Sequence, residues 1–377
     1  MQKKILINAI TLERGNIVPL LLKIKKWQSL GFYVAIFCNE FLKDRIDKEA
    51  LITDYEYIEL KNTKQITNKF QFIFEAIRRN LLAIMQKKEI AKQFDVVYSI
   101  SSVMDLVLFA YFLKRKSGRI KWITIFDNIV PLNDPGNKIL RFLAWLFFRF
   151  SLFFLKKADK IFAISIELKE YLVKNGFDHD KIEVTGNAVE EKLIRNAKKN
   201  DKYIIDALFV GRINETKGIY DMLKVLEIIK KEFPNFQLAF MGEGDEMTEK
   251  KFRKKINEMQ LNKNVQFFGY ISGQEKFNIM KSAGSFWFLS TSQSESFGIA
   301  LLEAVCLGVN AFAYDLKPYR AIYRNNEVEI FPKGDYALVA MGVIRLFKSN
   351  KSDNIKGTAL LNKYNWESIA EKEACSF

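Results

Sequence analysis

Ser294-Glu295-Ser296-Phe297-Gly298-Ile299-Ala300-Leu301-Leu302-Glu303 sets two carboxylates with seven residues between them and a glycine turn just after the first. The apolar run 299–302 opens a buried helix, which Ala304-Val305-Cys306-Leu307 continues and Gly308 ends. Glu295 then stands in the loop before the helix, and Glu303 lies more than one turn inside it. The N–H groups of Phe297, Gly298 and Ile299 project unpaired from the helix N-terminus, where free donors and the helix dipole attract an anion. A phosphate site with a carboxylate on either side suits a ligand that joins a diphosphate to hydroxyls, as a sugar nucleotide does.

Outward from this element, short apolar runs alternate with helical patterns, the arrangement of parallel sheets. In the second half the runs are 207–211, 237–241, 265–268 and 286–289, with helices at 222–232 and 246–260 between them. In the first half they are 4–9, 33–38, 95–99, 122–126 and 160–164, with a helix at about 17–30. The expected class is α/β: two Rossmann-like, doubly wound domains facing across a cleft, where ligands of such folds bind beyond the strand ends. The boundaries read from composition are 1–190 for the first domain, a polar linker at 191–202 and 203–355 for the second. Residues 356–377 are expected to form a C-terminal helix that packs back on the first domain.

A chain of 377 residues exceeds one ordinary core, which agrees with two domains. Its three cysteines are far apart and its one histidine, His179, cannot complete a zinc site with them, so neither structural zinc nor a disulfide framework is expected. The first residues, Met1-Gln2-Lys3-Lys4-Ile5-Leu6-Ile7-Asn8, read as a first strand rather than a signal peptide, and a reducing, cytoplasmic compartment fits. Residues 61–160 hold 19 Lys and Arg against 7 Asp and Glu, so +12 of the net +15 lies there. Such a local field points to an acidic surface.

Residues 139–155, Ile139-Leu140-Arg141-Phe142-Leu143-Ala144-Trp145-Leu146-Phe147-Phe148-Arg149-Phe150-Ser151-Leu152-Phe153-Phe154-Leu155, include fourteen apolar side chains. The run is short for a membrane span and carries two arginines. Lys138, Arg141, Arg149, Lys156 and Lys160 fall in one helical sector about 100° wide. Segment 138–160 is therefore expected to lie on an anionic membrane surface from the cytoplasmic side. The plainer alternative is a buried helix whose basic edge meets water. No nucleic-acid motif accompanies the charge, so nucleic acid is not an expected partner.

Two further stretches mark strand ends. In Phe209-Val210-Gly211-Arg212-Ile213-Asn214-Glu215-Thr216-Lys217-Gly218, two cations flank a turn and can hold a diphosphate; taken alone they read better as solvated loop charges, since basic residues before helices are common. Met241-Gly242-Glu243-Gly244-Asp245 is a second strand-to-turn signal. Together with Val265-Gln266-Phe267-Phe268-Gly269 and the Glu295–Glu303 element, this ordered set resembles the C-terminal domain of the family 4 retaining glycosyltransferases, which have the GT-B fold. The likeness covers about residues 203–345.

The resemblance implies that Arg212 and Lys217 bind the donor diphosphate and steady the leaving group, that Glu303 accepts from ribose hydroxyls and that Glu295 faces the donor sugar. The turn of Phe297, Gly298 and Ile299 would lie near the phosphates, while Gly211, Gly242 and Phe268 would help shape the nucleotide pocket. No cofactor or metal is implied, since the nucleotide-sugar enters as substrate. The acceptor would be lipid-linked or a saccharide, as in lipopolysaccharide or other surface-polysaccharide assembly.

The first half resembles the family in outline only. Lys160-Ile161-Phe162-Ala163-Ile164-Ser165 looks like its strand before the inter-domain region, and Thr185-Gly186-Asn187-Ala188-Val189-Glu190 like its hinge element. Gly15 and Asn16 occupy the place of a glycine-rich acceptor-side loop, with one glycine only. Where many members carry His-Asp, this chain has Phe126-Asp127, which makes Asp127 the candidate polar group near the acceptor. Two alternatives remain open: a GT-B sugar-nucleotide epimerase, which a single loop histidine disfavours, and a non-catalytic relative serving as a partner protein.

Overall fold

The computed structural model describes residues 2–12, 16–65, 69–132, 138–292, 295–349 and 357–377, apart from the side chains of 69, 70, 72, 73 and 140. The chain divides into two compact units, residues 1–188 with 366–377 and residues 189–365. The first unit runs β1 (Lys4–Asn8), α1 (Val18–Ser29), β2 (Tyr33–Cys38), α2 (Glu40–Glu49), β3 (Glu56–Glu59), α3 (Lys69–Gln93) and β4 (Val96–Ser99). It continues through α4 (Met104–Ser117), β5 (Lys121–Phe126), α5 (Lys138–Leu155), β6 (Lys160–Ala163), α6 (Ile166–Lys174) and β7 (Ile182–Val184). The strands form one parallel sheet in the order β3-β2-β1-β4-β5-β6-β7. Runs such as Tyr-Val-Ala-Ile-Phe-Cys in β2 lack polar alternation because helices cover both faces of a parallel sheet.

The second unit begins with α7 (Glu191–Arg195), then β8 (Ala207–Val210), α8 (Ile219–Ile229), β9 (Leu238–Met241), α9 (Glu246–Glu258), β10 (Val265–Gly269), α10 (Gly273–Ser282) and β11 (Ser285–Phe288). It proceeds through α11 (Ile299–Cys306), β12 (Ala311–Tyr314), α12 (Lys317–Ile322), β13 (Val328–Phe331), α13 (Tyr336–Lys348) and α14 (Thr358–Lys363). Six parallel strands lie in the order β10-β9-β8-β11-β12-β13. Residues 191–202 carry α7 and bond to α10, with the Lys198 N–H on Asn278 Oδ1 at 3.0 Å and the Asn200 N–H on Ser282 Oγ at 2.9 Å.

The last helix, α15 (Trp366–Ala374), returns to the first unit and packs on α1. Lys23 Nζ lies 3.0 Å from Glu373 Oε2 and 2.7 Å from Tyr98 Oη, and that hydroxyl donates to the same carboxylate oxygen at 2.8 Å. All three side chains are buried. Phe377 closes over them, its ring 4.9 Å from that of Trp27 and 6.0 Å from that of Tyr98.

In each sheet the chain reverses its direction of travel once, between β1 and β4 in the first and between β8 and β11 in the second. Neighbouring loops diverge at such a switch point and leave a crevice at the carboxyl ends of the strands, where doubly wound folds bind ligands.

Candidate functional site

At the second switch point, the loop after β8 meets the loop after β11. Asn214 Oδ1 accepts the Thr216 N–H at 2.9 Å and shapes Glu215–Lys217 into a single 3-10 turn. Gly218 follows with φ 75°, and a Cβ there would stand 1.9 Å from the Leu289 carbonyl oxygen. That backbone approach needs glycine, and it brings the Thr216 carbonyl to the Thr291 N–H at 2.8 Å. With the loops clamped, Lys217 Nζ reaches Glu295 Oε2 at 2.5 Å, and Ser290 Oγ donates to the same oxygen at 3.2 Å. The two charged side chains are only 28% and 11% exposed, so their attraction is screened less than at an open surface.

Glu295 leads directly to the start of α11. Gly298 caps that helix in the left-handed region at φ 71°, and no side chain caps it. The N–H groups of Leu301 and Leu302 return to the Gly298 carbonyl at 3.0 and 3.1 Å, whereas those of Phe297, Gly298 and Ile299 have no acceptor among the described residues. The Tyr319 ring lies under the cap, 3.0 Å from where a Gly298 Cβ would be. Its hydroxyl is buried without a hydrogen-bond partner among the described residues.

One turn into α11, Glu303 is buried, and both its oxygens bond Lys276 Nζ of α10 at 2.6 Å. Burial pushes the Glu303 carboxyl above its ordinary range, and the Lys276 ammonium opposes the rise. Lys276 is absent from the sequence-based site because nothing local marks it; its partner is 27 residues away on another element.

The remaining donor-side candidates spread along the strand ends. Gly211 and Gly242 pack together, for a Cβ on Gly242 would stand 2.1 Å from the Gly211 carbonyl oxygen. Phe268 lies on the edge strand β10, its ring 5.9 Å from that of Tyr203. Arg212 is exposed at the end of β8 and has no ion pair among the described residues. The structure thus joins Lys217, Glu295 and the α11 N-terminus directly, holds Glu303 on the same helix with a second lysine, and leaves Arg212 and Phe268 unbonded to them. A hollow lined by Lys230, Pro234, Asn257 and Asn264 opens at the opposite, amino-end edge of this sheet and contains no carboxylate.

The first switch point carries its own polar set. Asn8 Nδ2 of β1 donates to Ser99 Oγ of β4 at 3.2 Å and to the Leu106 carbonyl at 2.7 Å. Asp105, in the first turn of α4, is bonded to the Thr11 side chain, with buried Arg79 nearby. Ser101 Oγ donates to Asp127 Oδ1 at 3.1 Å. Burial raises both carboxyls above their ordinary range; Thr11 and Arg79 oppose the rise at Asp105, and Ser101 opposes it at Asp127. Phe126 turns into the core, its ring stacked 6.2 Å from Tyr171, so no polar side chain stands at that position. Asn16 Oδ1 accepts the Val18 N–H at 3.0 Å and caps the turn into α1; Gly15 lies outside the described residues. Asp105 escapes sequence inspection because an acid in a first helical turn is ordinarily explained by the helix dipole. Among the described residues no cluster of His, Cys, Asp and Glu suited to a metal occurs.

Residues 23–193 match the family described as Glycosyltransferase Family 4, and residues 189–359 match Glycosyl transferases group 1. The chain is 29% identical over 170 residues to a phosphatidyl-myo-inositol mannosyltransferase of Mycobacterium leprae, covering 44% of each chain. It is 27% identical over 301 residues to the capsular polysaccharide biosynthesis glycosyltransferase CapH of Staphylococcus aureus, covering 76% of this chain and 74% of that one. The aligned stretch spans about half the length of the mycobacterial mannosyltransferases. Among solved structures, Anabaena HepE in complex with UDP superposes with a TM-score of 0.74 at 13% identity, over 100% of this chain and 99% of that one. At that identity the likeness shows the fold, which is the expected GT-B class.

Proposed function

Because the chain belongs to the group 1 glycosyltransferases of family 4, we propose that it transfers a sugar, with retention of anomeric configuration, from a nucleotide-sugar to a lipid-linked or polysaccharide acceptor at the cytoplasmic face of a membrane. The observation that carries the donor half is the Lys217–Glu295 pair, held across the second switch point beside the open N-terminus of α11. The diphosphate takes the N–H groups of Phe297, Gly298 and Ile299, and Lys217 and Arg212 neutralise charge as the nucleoside diphosphate departs. Fixed cations and a helix end supply the electrostatic work with no need of a bound metal. Glu303 accepts from the ribose hydroxyls and Glu295 from the donor sugar, their carboxylates held by Lys276 and Lys217.

In the transfer, the acceptor oxygen attacks the anomeric carbon on the face from which the phosphate leaves. The new C–O bond forms as the C–O bond to phosphate breaks, and the departing phosphate oxygen takes the acceptor proton. That route needs no strong enzymatic base, which is compatible with Phe126 in the core and with Asp127 serving to orient the acceptor rather than to deprotonate it. The mannosyltransferase and CapH relatives act, by their names, on a phosphatidylinositol and in capsule synthesis, which favours a membrane-associated acceptor.

The surface of α5 supports membrane contact. No described helix is long and apolar enough to cross a membrane. Phe148, Ser151, Leu152 and Leu155 are buried, while Ile139, Phe142, Phe150 and Phe153 are 50–72% exposed on the opposite side. An apolar stripe meets solvent beside the basic edge of Lys138, Arg149 and Lys156, whereas an ordinary amphipathic core helix shows water a polar face alone.

A screen of UDP-, GDP- and ADP-sugars for donor hydrolysis tests the enzyme. Lys217→Ala should lower turnover about 100-fold or more, the usual cost of losing one leaving-group stabiliser. Glu303→Ala should weaken donor binding. Failure of the wild type to bind or turn over every donor would leave only a non-catalytic relative.

A further inference from the structure

We infer that α3 is a second membrane-docking helix, and that with α5 it forms one surface that seats the first unit on an anionic bilayer. Phe74, Ile77, Leu81 and Met85 are 53–78% exposed, and at 100° per residue they fall in one stripe about 80° wide. Such a stripe of large apolar side chains on a 25-residue helix is unlike the scattered exposed hydrophobics of an ordinary surface. Nothing in residues 69–93 suggests a membrane segment from sequence, because Glu75, Arg78 and Arg79 interrupt the apolar run and only the packing shows which face is left outside.

Topology brings the two stripes together. Helices α3, α4 and α5 each connect one parallel strand to the next in the same direction across the sheet, so right-handed crossovers place all three on one side. α4 packs against both α3 and α5, and the Tyr111 ring of α4 lies 5.0 Å from Phe154 of α5. All three helices run antiparallel to the strands, so their C-terminal ends meet at one edge of the sheet. There the outward positions become mostly basic: Lys88 and Lys92 end α3, Arg115 and Lys116 end α4, and Lys156 and Lys157 follow α5, all six exposed, against the one exposed acid Glu89 in the last turns of α3. Two apolar stripes backed by a basic edge complement a bilayer with anionic headgroups, into which the stripes insert while the lysines meet phosphate.

Membrane docking by α3 presupposes docking by α5, and the test separates the two. Flotation would compare wild type, a triple variant in α3 (Phe74→Ser, Leu81→Ser, Met85→Ser) and one in α5 (Phe142→Ser, Phe150→Ser, Phe153→Ser). The vesicles are phosphatidylcholine alone or phosphatidylcholine with phosphatidylglycerol. Wild type should float with the anionic vesicles only, and either triple variant should lose about tenfold or more of the bound fraction while keeping the wild-type melting profile. Lys88→Glu with Lys92→Glu, which leaves the apolar stripe intact, should lose binding as well and covers the case of a triple variant that fails to fold. An α3 variant that floats like wild type, beside an α5 variant that does not, overturns the role of α3 and leaves α5 standing. A wild type that never floats overturns both. A wild-type dimer in light scattering that the α3 variant converts to monomer would assign the stripe to a second copy of the chain, and overturn the inference.

Discussion

Lys276 shows how a single side chain conditions a site it does not itself define. Glu303 is buried, and burial alone favours its neutral form. The Lys276 ammonium on both oxygens is the main influence in the other direction, while Cys306, a turn along the same helix, adds no positive charge. Under the proposed role of Glu303, a ribose diol is best received by the ionised carboxylate, so whatever raises this carboxyl's pKa should move the loss of nucleotide affinity to higher pH. On acidification from about pH 8 to pH 5, the affinity of Lys276→Met should therefore begin to fall at a higher pH than that of wild type, while Lys276→Arg stays close to wild type. Calorimetric titration of the nucleotide across that range decides; a flat profile in Lys276→Met would remove the positioning role.

For the element, the start of α11 depends on one residue with no side chain. Gly298 holds φ 71°, and the Tyr319 ring fills the space where a Cβ would go. Gly298→Ala should cost about 1–2 kcal/mol in backbone strain, with more from the ring contact, and should shift the N–H groups that point out of the helix. The expected outcome is a melting temperature lower by several degrees together with at least tenfold weaker nucleotide binding. Loss of stability with unchanged binding would separate the cap from the anion site. Strand β3 is a four-residue edge strand with charged ends, Glu56-Tyr57-Ile58-Glu59, and none of its residues is buried, so no apolar run marks it. Strands β12 and β13 are as long as β8 and β9, which are legible, so their length does not explain why they are not. For α5 the helix and its apolar bias were legible, but not which stripe would be covered, since Phe148 packs on Phe126 and Tyr171 while Phe150 and Phe153 stay exposed.

Across the whole molecule, the C-terminal helix ties the end of the chain into the first unit through a buried charge. Glu373→Ala would leave the Lys23 ammonium with Tyr98 as its remaining polar partner in an apolar setting, a loss of about 3–5 kcal/mol. Replacing both partners, as in Lys23→Met with Glu373→Leu, should recover most of it, because no charge is then stranded. Urea unfolding midpoints of the three proteins test this, and equal midpoints for single and double variants would mean that the ion pair is not the cause.

Sequence alone determined the two parallel α/β halves, since continuous apolar runs alternating with helices have few other ways to bury themselves. It also determined the chemical types at the second switch point, because the glycine turn, both glutamates and both cations are local signals. Tertiary structure decided which of those groups meet: Lys217 with Glu295, 78 positions apart, and Glu303 with a lysine no motif had marked. It decided, too, that Phe126 faces inward and that apolar stripes on α3 and α5 face outward. Contacts between distant residues, and the choice of which helix face a neighbour covers, depend on the packing of whole elements, and no local pattern of residues encodes that.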